Sequence, residues 1–273
     1  MAKKTEIKLL ALQMGSIIGD KEKNIRKVQK LLEKQLSLQN ADFVFLPEVW
    51  NVGWDCPSFK GNAEEISNSK SIEILKDMAK RYKTNIIGGS IILKNEKNYY
   101  NSCPVINRKG DLVCTYEKNH LFSYYGCDEG KFVKAGANPV IVSLDGVKIG
   151  LSICYDIRFP ELYRAYRKAG ADILVNMAAW GASKKIPWDS MTTSRAVENQ
   201  TYFVALTQTG TLKNGEKNLG HSMILDYKGD ILSEINKNEG GIYAIINLET
   251  MYEFRKKCTV LNDIKKSYEV EIK

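Results

Sequence analysis

Apolar and polar positions alternate in short blocks along the chain. The run 7–13 (IKLLALQ) is apolar on both sides of a period of two and reads as a buried strand. Residues 20–38 switch to helical spacing, with Ile25, Val28, Leu31, Leu32 and Leu36 on one face and Asp20 placed to cap the start. A short buried strand at 42–46 stops at Pro47. Leu75, Met78, Ala79 and Tyr82 predict a second amphipathic helix over 70–82, and NIIGGSII at 85–92 predicts one further strand. Residues 99–116 read as a hairpin turning at Arg108–Asp111. The stretch 117–138 has little periodicity, and long irregular loops inside compact domains are often functional. Strands follow at 139–143 and 147–153, then a helix from Pro160 and a strand at 172–176. A helix opened by Pro187 runs to Asn199, followed by strands at 201–208, 221–226 and 241–247 and a helix at 249–257. Several strands apolar on both faces, alternating with amphipathic helices, predict α/β layers in which helices cover sheets. No repeat, low-complexity tract or Pro/Gly-rich linker interrupts the 273 residues, so a single continuous domain is expected.

Composition narrows the function classes. The formal net charge of +8 comes from scattered lysines, with no arginine-rich block and no basic run interleaved with aromatics, so no nucleic-acid partner is expected. A mild attraction for anionic small molecules and plain solubility remain as readings of the excess. The six cysteines, at 56, 103, 114, 127, 154 and 258, contain no CxxC pair and no Cys/His cluster at zinc spacing, so no metal is expected. Glu6 and Lys8 break the apolar run near the start, which argues against a signal peptide, and no apolar run is long enough to span a bilayer. A reduced, cytoplasmic protein with free thiols and no membrane partner is the expectation.

Three segments carry candidate chemistry. In KIGLSICYDIRFPELYR (148–164) a buried strand ends at Cys154, a polar turn follows, and Pro160 starts a helix. A strand–turn–helix junction can hold a nucleophile rigidly beside backbone N–H groups able to stabilise an oxyanion. A buried structural cysteine is the competing reading. In FVFLPEVWNVGW (43–54), Glu48 lies just past a buried strand among large apolar residues, where burial raises a carboxyl pKa toward that of a useful general base. A surface glutamate after a strand is the alternative. In TYEKNHLFSYYGCDEGKFVKAG (115–136), Lys118 could hold a developing negative charge, although the chain has many lysines. His120 is a candidate base for a Cys–His pair or else a structural histidine.

Taken together, LPE at 46–48, YEKNHLF at 116–122 and CYDIRFPEL at 154–162 resemble, in order, the three signature blocks of the nitrilase superfamily of carbon–nitrogen hydrolases. ALQM near the start, SRAVENQTYFVA at 194–205 and GHSMILDYKGDIL at 220–232 extend the resemblance over nearly the whole chain. The resemblance implies a four-layer α-β-β-α sandwich, a domain covering 1–273 with 249–273 as a C-terminal arm, and a homodimer or higher homo-oligomer. It implies Glu48 as general base, Lys118 as oxyanion stabiliser and Cys154 as nucleophile, with Glu129 as a further acidic residue and Asp128 as its competitor. The backbone N–H of Tyr155 would share the oxyanion, and Trp180 would line the pocket or belong to the core. The CYDIRFPEL form is most similar to the omega-amidase branch, which implies a small carboxamide bearing a carboxylate, such as 2-oxoglutaramate, and no cofactor. Arg158, Lys184 and Lys185 are candidates to hold that carboxylate, with surface or structural ion pairs as the alternative. N-carbamoyl compounds and deaminated peptides are the next substrates, and a catalytically silent binding or scaffold protein is the reading from another class. Thr259, where relatives often carry proline, and NMAAWGASKKIPW at 176–188 depart from the family pattern.

Overall fold

The structure is a computed structural model describing residues 5–124, 126–265 and 267–273. In chain order, β1 (Glu6–Gln13), α1 (Lys21–Leu38), β2 (Phe43–Phe45), α2 (Phe59–Asn62), β3 (Glu64–Glu65), α3 (Lys70–Tyr82), β4 (Asn85–Ile87), β5 (Ile91–Asn95), β6 (Asn98–Ile106) and β7 (Leu112–Glu117) precede the long irregular stretch. Then come β8 (Ile141–Leu144), β9 (Val147–Ile153), α4 (Pro160–Lys168), β10 (Ile173–Ala178), α5 (Lys185–Asn199), β11 (Tyr202–Thr207), β12 (Ser222–Leu225), β13 (Ile231–Ile235), β14 (Gly240–Asn247) and α6 (Leu248–Lys257). The Asp20 carboxylate accepts from the Lys23 N–H, so the expected cap opens α1.

The strands form two sheets. The first runs β14-β1-β2-β4-β6-β5-β3 with β7 beside β6, and the second runs β13-β12-β11-β10-β9-β8. The period of two in β1 explains its doubly apolar character. Ile7, Leu9 and Ala11 join the core between the sheets, whereas Leu10 and Leu12 pack with α1 and α3 on the outer side. The sheets meet face to face where Cys103 of β6 touches Met177 of β10, sulfur to sulfur at 3.9 Å. On the far side of the second sheet α4 lies close: a Cβ at Gly150 would sit 2.8 Å from the Tyr166 ring. Helices α1 and α3, the first sheet, the second sheet, and α4 with α5 are therefore the four layers expected of an α-β-β-α sandwich. Leu248 and Met251 of α6 are buried in the inter-sheet core cluster, so that helix packs on the body of the molecule.

Several elements differ from the sequence pattern, among them α2 and β3, for which the pattern gives no signal. The single strand expected over 85–92 is two, β4 and β5, broken at Gly88–Ser90. Gly89 has φ +64°, and a Cβ there would come within 2.1 Å of the Pro47 carbonyl oxygen, so only glycine fits. The break lets the Ser90 N–H donate to the Pro47 carbonyl at 3.0 Å and its hydroxyl accept from the Val49 N–H at 2.9 Å. Those bonds grip both neighbours of Glu48. Strand β13 had no signal in the pattern because it is a sheet edge with Ile231 and Leu232 exposed, so burial does not impose alternation on it. Helix α5 begins at Lys185, placing Pro187 inside the first turn, where its missing N–H leaves no bond unmade.

Candidate active site

The candidate residues converge at one end of the two sheets. Glu48 follows β2, Lys118 follows β7, Cys154 follows β9 and Ala179 follows β10. Strands β9, β10 and β11 are mutually parallel, as are β1, β2 and β4, so the turns after β2, β9 and β10 lie where open α/β sheets generally bind ligands.

Glu48, Lys118 and Glu129 are all fully buried. The Lys118 ammonium donates to Glu48 Oε1 and to Glu129 Oε2, each at 2.9 Å. Asn101 Nδ2 spans the same two carboxylates, at 2.9 Å to Glu48 and 3.1 Å to Glu129. The Ala179 N–H fixes Glu48 Oε2 at 2.8 Å, and the Phe122 N–H fixes Glu129 Oε2 at 2.9 Å. Trp54 covers the ammonium, its ring centroid 4.9 Å from Nζ. Glu129, and not Asp128, joins the cluster, while Asp128 is turned outward and caps the Gly130 N–H at 3.1 Å.

Cys154 sits at φ +46°, a left-handed conformation unusual for a residue with a side chain, and opens a 3-10 turn over Cys154–Arg158. Several buried groups hold it there. The Ile153 N–H donates to Asp156 Oδ2 at 2.9 Å, Asn176 Nδ2 donates to the Cys154 carbonyl at 3.3 Å, and Arg195 donates twice to the Ile157 carbonyl, at 3.1 and 2.9 Å. The opening residues of such a turn have N–H groups with no partner inside it, which suits Tyr155 N–H for holding an oxyanion. His120 is not beside the thiol as its base. Its Nδ1 lies 2.8 Å from Asp156 Oδ1 and its ring stacks on Phe159 at 3.7 Å, so it ties the lysine loop to the cysteine turn.

Residues 9–256 match the family described as Carbon-nitrogen hydrolase. The chain belongs to the carbon-nitrogen hydrolase family. It is 34% identical over 255 residues to the 2-oxoglutaramate amidase of Bacillus subtilis, covering 93% of this chain and 96% of that one. It is also 34% identical over 275 residues to the deaminated glutathione amidase of Dictyostelium discoideum, covering 93% and 94%. Among solved structures, Nit3 of Saccharomyces cerevisiae, a member of branch 10 of the nitrilase superfamily, superposes with a TM-score of 0.86 at 28% identity, covering 93% of this chain and 95% of that one.

In this carbon–nitrogen hydrolase, Cys154 opens onto a cavity of about 280 Å³. Tyr155, Arg158, Trp180 and Lys184 all line it. Arg158 is the distinctive member. Its guanidinium stands against the rings of Tyr124, Tyr155 and Trp180, 5.4–5.9 Å from their centroids, and its buried Nε has no hydrogen-bond partner among the described residues. Lys184 lies 3.5 Å from Glu216, also in the lining. Lys185 is outside the lining and pairs with Asp189 on α5.

Burial governs the electrostatics of the candidate site. It pushes the Glu48 carboxyl above its ordinary value, an effect that the Glu129 charge reinforces and the Lys118 ammonium opposes. Burial works against the Lys118 charge, yet the carboxylates of Glu129 and Glu48 prevail and hold it protonated well above the usual lysine range. Burial, and then the charge of Glu48, push the Cys154 thiol well up, with Lys118 pulling the other way. Burial thus holds the Cys154 thiol toward its neutral form. Sequence reasoning missed Asn101, Asp156 and the Ala179 N–H. The short polar Asn101 inside β6 was the one visible anomaly, since asparagine is depleted in strands.

Proposed function

We propose that this protein is an omega-amidase-type hydrolase that converts a small carboxamide bearing a carboxylate, such as 2-oxoglutaramate, to the free acid and ammonia. The observation that carries the substrate class is Arg158, a guanidinium without a carboxylate partner among the described residues, in the same small cavity as Cys154. A cavity of about 280 Å³ falls at the lower edge of the usual ligand range of roughly 300–1,000 Å³, which suits a small substrate. The relative named 2-oxoglutaramate amidase supports the same reading.

In the proposed reaction, Glu48 takes the Cys154 proton as sulfur attacks the amide carbon. The raised thiol pKa makes that transfer part of the attack rather than a prior equilibrium. The oxyanion is held by the Lys118 ammonium and the Tyr155 N–H, two preorganised donors in a site that burial keeps from bulk water. Glu48 hands its proton to the leaving nitrogen, ammonia departs, and a thioester remains on Cys154. Glu48 then activates water, which hydrolyses the thioester and restores the thiol. Glu129 and Asn101 hold Lys118 and Glu48 in register, and Arg158 holds the distal carboxylate.

The test is ammonia release from 2-oxoglutaramate beside Cys154→Ala and a panel containing deaminated glutathione and N-carbamoyl compounds. Turnover of 2-oxoglutaramate that the substitution abolishes is expected. Preference for deaminated glutathione or a carbamoyl compound would discard the omega-amide, and turnover by Cys154→Ala would discard the nucleophile.

A further inference from the structure

The cavity holds two thiols that the proposed reaction does not use. Cys56 opens a 3-10 turn at Cys56–Ser58, and Cys127 lies in the irregular stretch just before Glu129. They are 71 positions apart in sequence, yet their sulfurs are 3.7 Å apart, and both line the cavity that contains Cys154. We propose that Cys56 and Cys127 are a redox dithiol, oxidised by a low-molecular-weight disulfide to an intramolecular disulfide in the wall of the substrate cavity. The inference does not depend on which amide the site hydrolyses.

The geometry defines both the reach and the order of steps. A disulfide needs sulfurs about 2.05 Å apart, so the pair must close by less than the diameter of one atom. Cys127 is partly exposed, and Cys56 is 4% exposed, so an oxidant meets Cys127 first. Burial raises both thiols, but the bond from the Cys56 thiol works in the opposite direction on Cys127, favouring Cys127 as the first thiolate. In the first step the Cys127 thiolate attacks the oxidant RSSR, the S–S bond breaks, and one RS⁻ leaves from a Cys127–S–S–R mixed disulfide. In the second, Cys56 gives up its proton and attacks the Cys127 sulfur. The Cys127–SR bond breaks, and the second RS⁻ leaves to be protonated. The protein loses two hydrogens and RSSR becomes two RSH. The new bond ties the Cys56 turn to the segment that carries Glu129, so the redox poise of the surroundings is written into the wall beside Cys154.

The experiment exposes the full-length Cys154→Ser chain, and in parallel the unaltered chain, to oxidised glutathione. The samples are acid-quenched, alkylated, digested with trypsin and weighed without reduction. The expected product is peptide 35–60 joined to peptide 119–131, lighter by two hydrogens than their sum and separated by dithiothreitol. The unaltered chain should give the same cross-link, which guards against a folding defect in the variant. Cys127 arrested as a mixed glutathione disulfide would overturn the proposal, as would either residue cross-linked to another cysteine. So would both thiols remaining open to alkylation when Cys154 of the unaltered chain has itself become glutathionylated.

Discussion

Glu48→Gln is a nearly isosteric change whose consequences can be counted from the bonds it alters. Glu48 Oε1 accepts from Lys118 and Asn101, at 2.9 Å each, and Oε2 accepts from the Ala179 N–H at 2.8 Å. A glutamine has one acceptor oxygen and one donor nitrogen. With its oxygen toward Lys118 and Asn101, its amide group faces the Ala179 N–H, donor against donor, and one buried bond is lost. That omission costs about 1–3 kcal/mol. The Lys118–Glu129 pair survives as a one-to-one ion pair, so no buried charge is stranded. The variant should therefore fold, with its unfolding free energy lowered by that amount, and Cys154 should still be alkylated by iodoacetamide. Turnover should fall by about 10²–10⁴, the usual contribution of a positioned general base. Steady-state ammonia release and urea unfolding measure the two quantities. Turnover within about tenfold of the unaltered protein would remove Glu48 from the chemistry, and a loss of more than about 5 kcal/mol would refute the bond accounting.

Three more perturbations probe the surrounding structure. The rate should fall as pH drops through the raised pKa of Glu48, because the base must be ionised. Glu129→Gln removes a charge that helps to raise that pKa, so the acid limb of kcat/KM should move to lower pH while kcat falls; a limb that stays or moves up would contradict the assigned coupling. Arg158→Met should raise KM for carboxylate-bearing amides by roughly 10–100-fold, the equivalent of about 1.5–3 kcal/mol for a hydrogen bond to a charged group, and should leave KM for neutral amides little changed. Equal losses on charged and neutral amides would refute a carboxylate-binding role. Gly89→Ala forces a left-handed conformation and a 2.1 Å approach to the Pro47 carbonyl, so the turn carrying Glu48 must shift; a melting midpoint and turnover equal to those of the unaltered protein would show that the turn is slack.

What was legible in the sequence was whatever a short window of chain determines. The stripe of Ile25, Val28, Leu32 and Leu36 placed α1, Pro160 placed α4, and apolar runs placed most strands of both sheets, though not β3, β13 or the break between β4 and β5, because burial imposes a period that neighbouring residues record. Three motifs in order were enough to nominate Glu48, Lys118 and Cys154, since each sits at a strand end where local chemistry and turn signals coincide. Other features arise only when distant segments meet. Asn101 bridges two carboxylates supplied from 53 positions before it and 28 after it, the Ala179 N–H reaches Glu48 across 131 positions, and Cys56 meets Cys127 across 71. Nothing local marks such pairings: strands of the first sheet must pair before Asn101 reaches Glu48, the loops after β2 and β7 must meet before Cys56 reaches Cys127, and the Ala179–Glu48 bond needs the second sheet stacked on the first. The same holds for the electrostatics: desolvation and the mutual fields of Glu48, Lys118 and Glu129 are properties of a shared buried volume, which only the packed layers create.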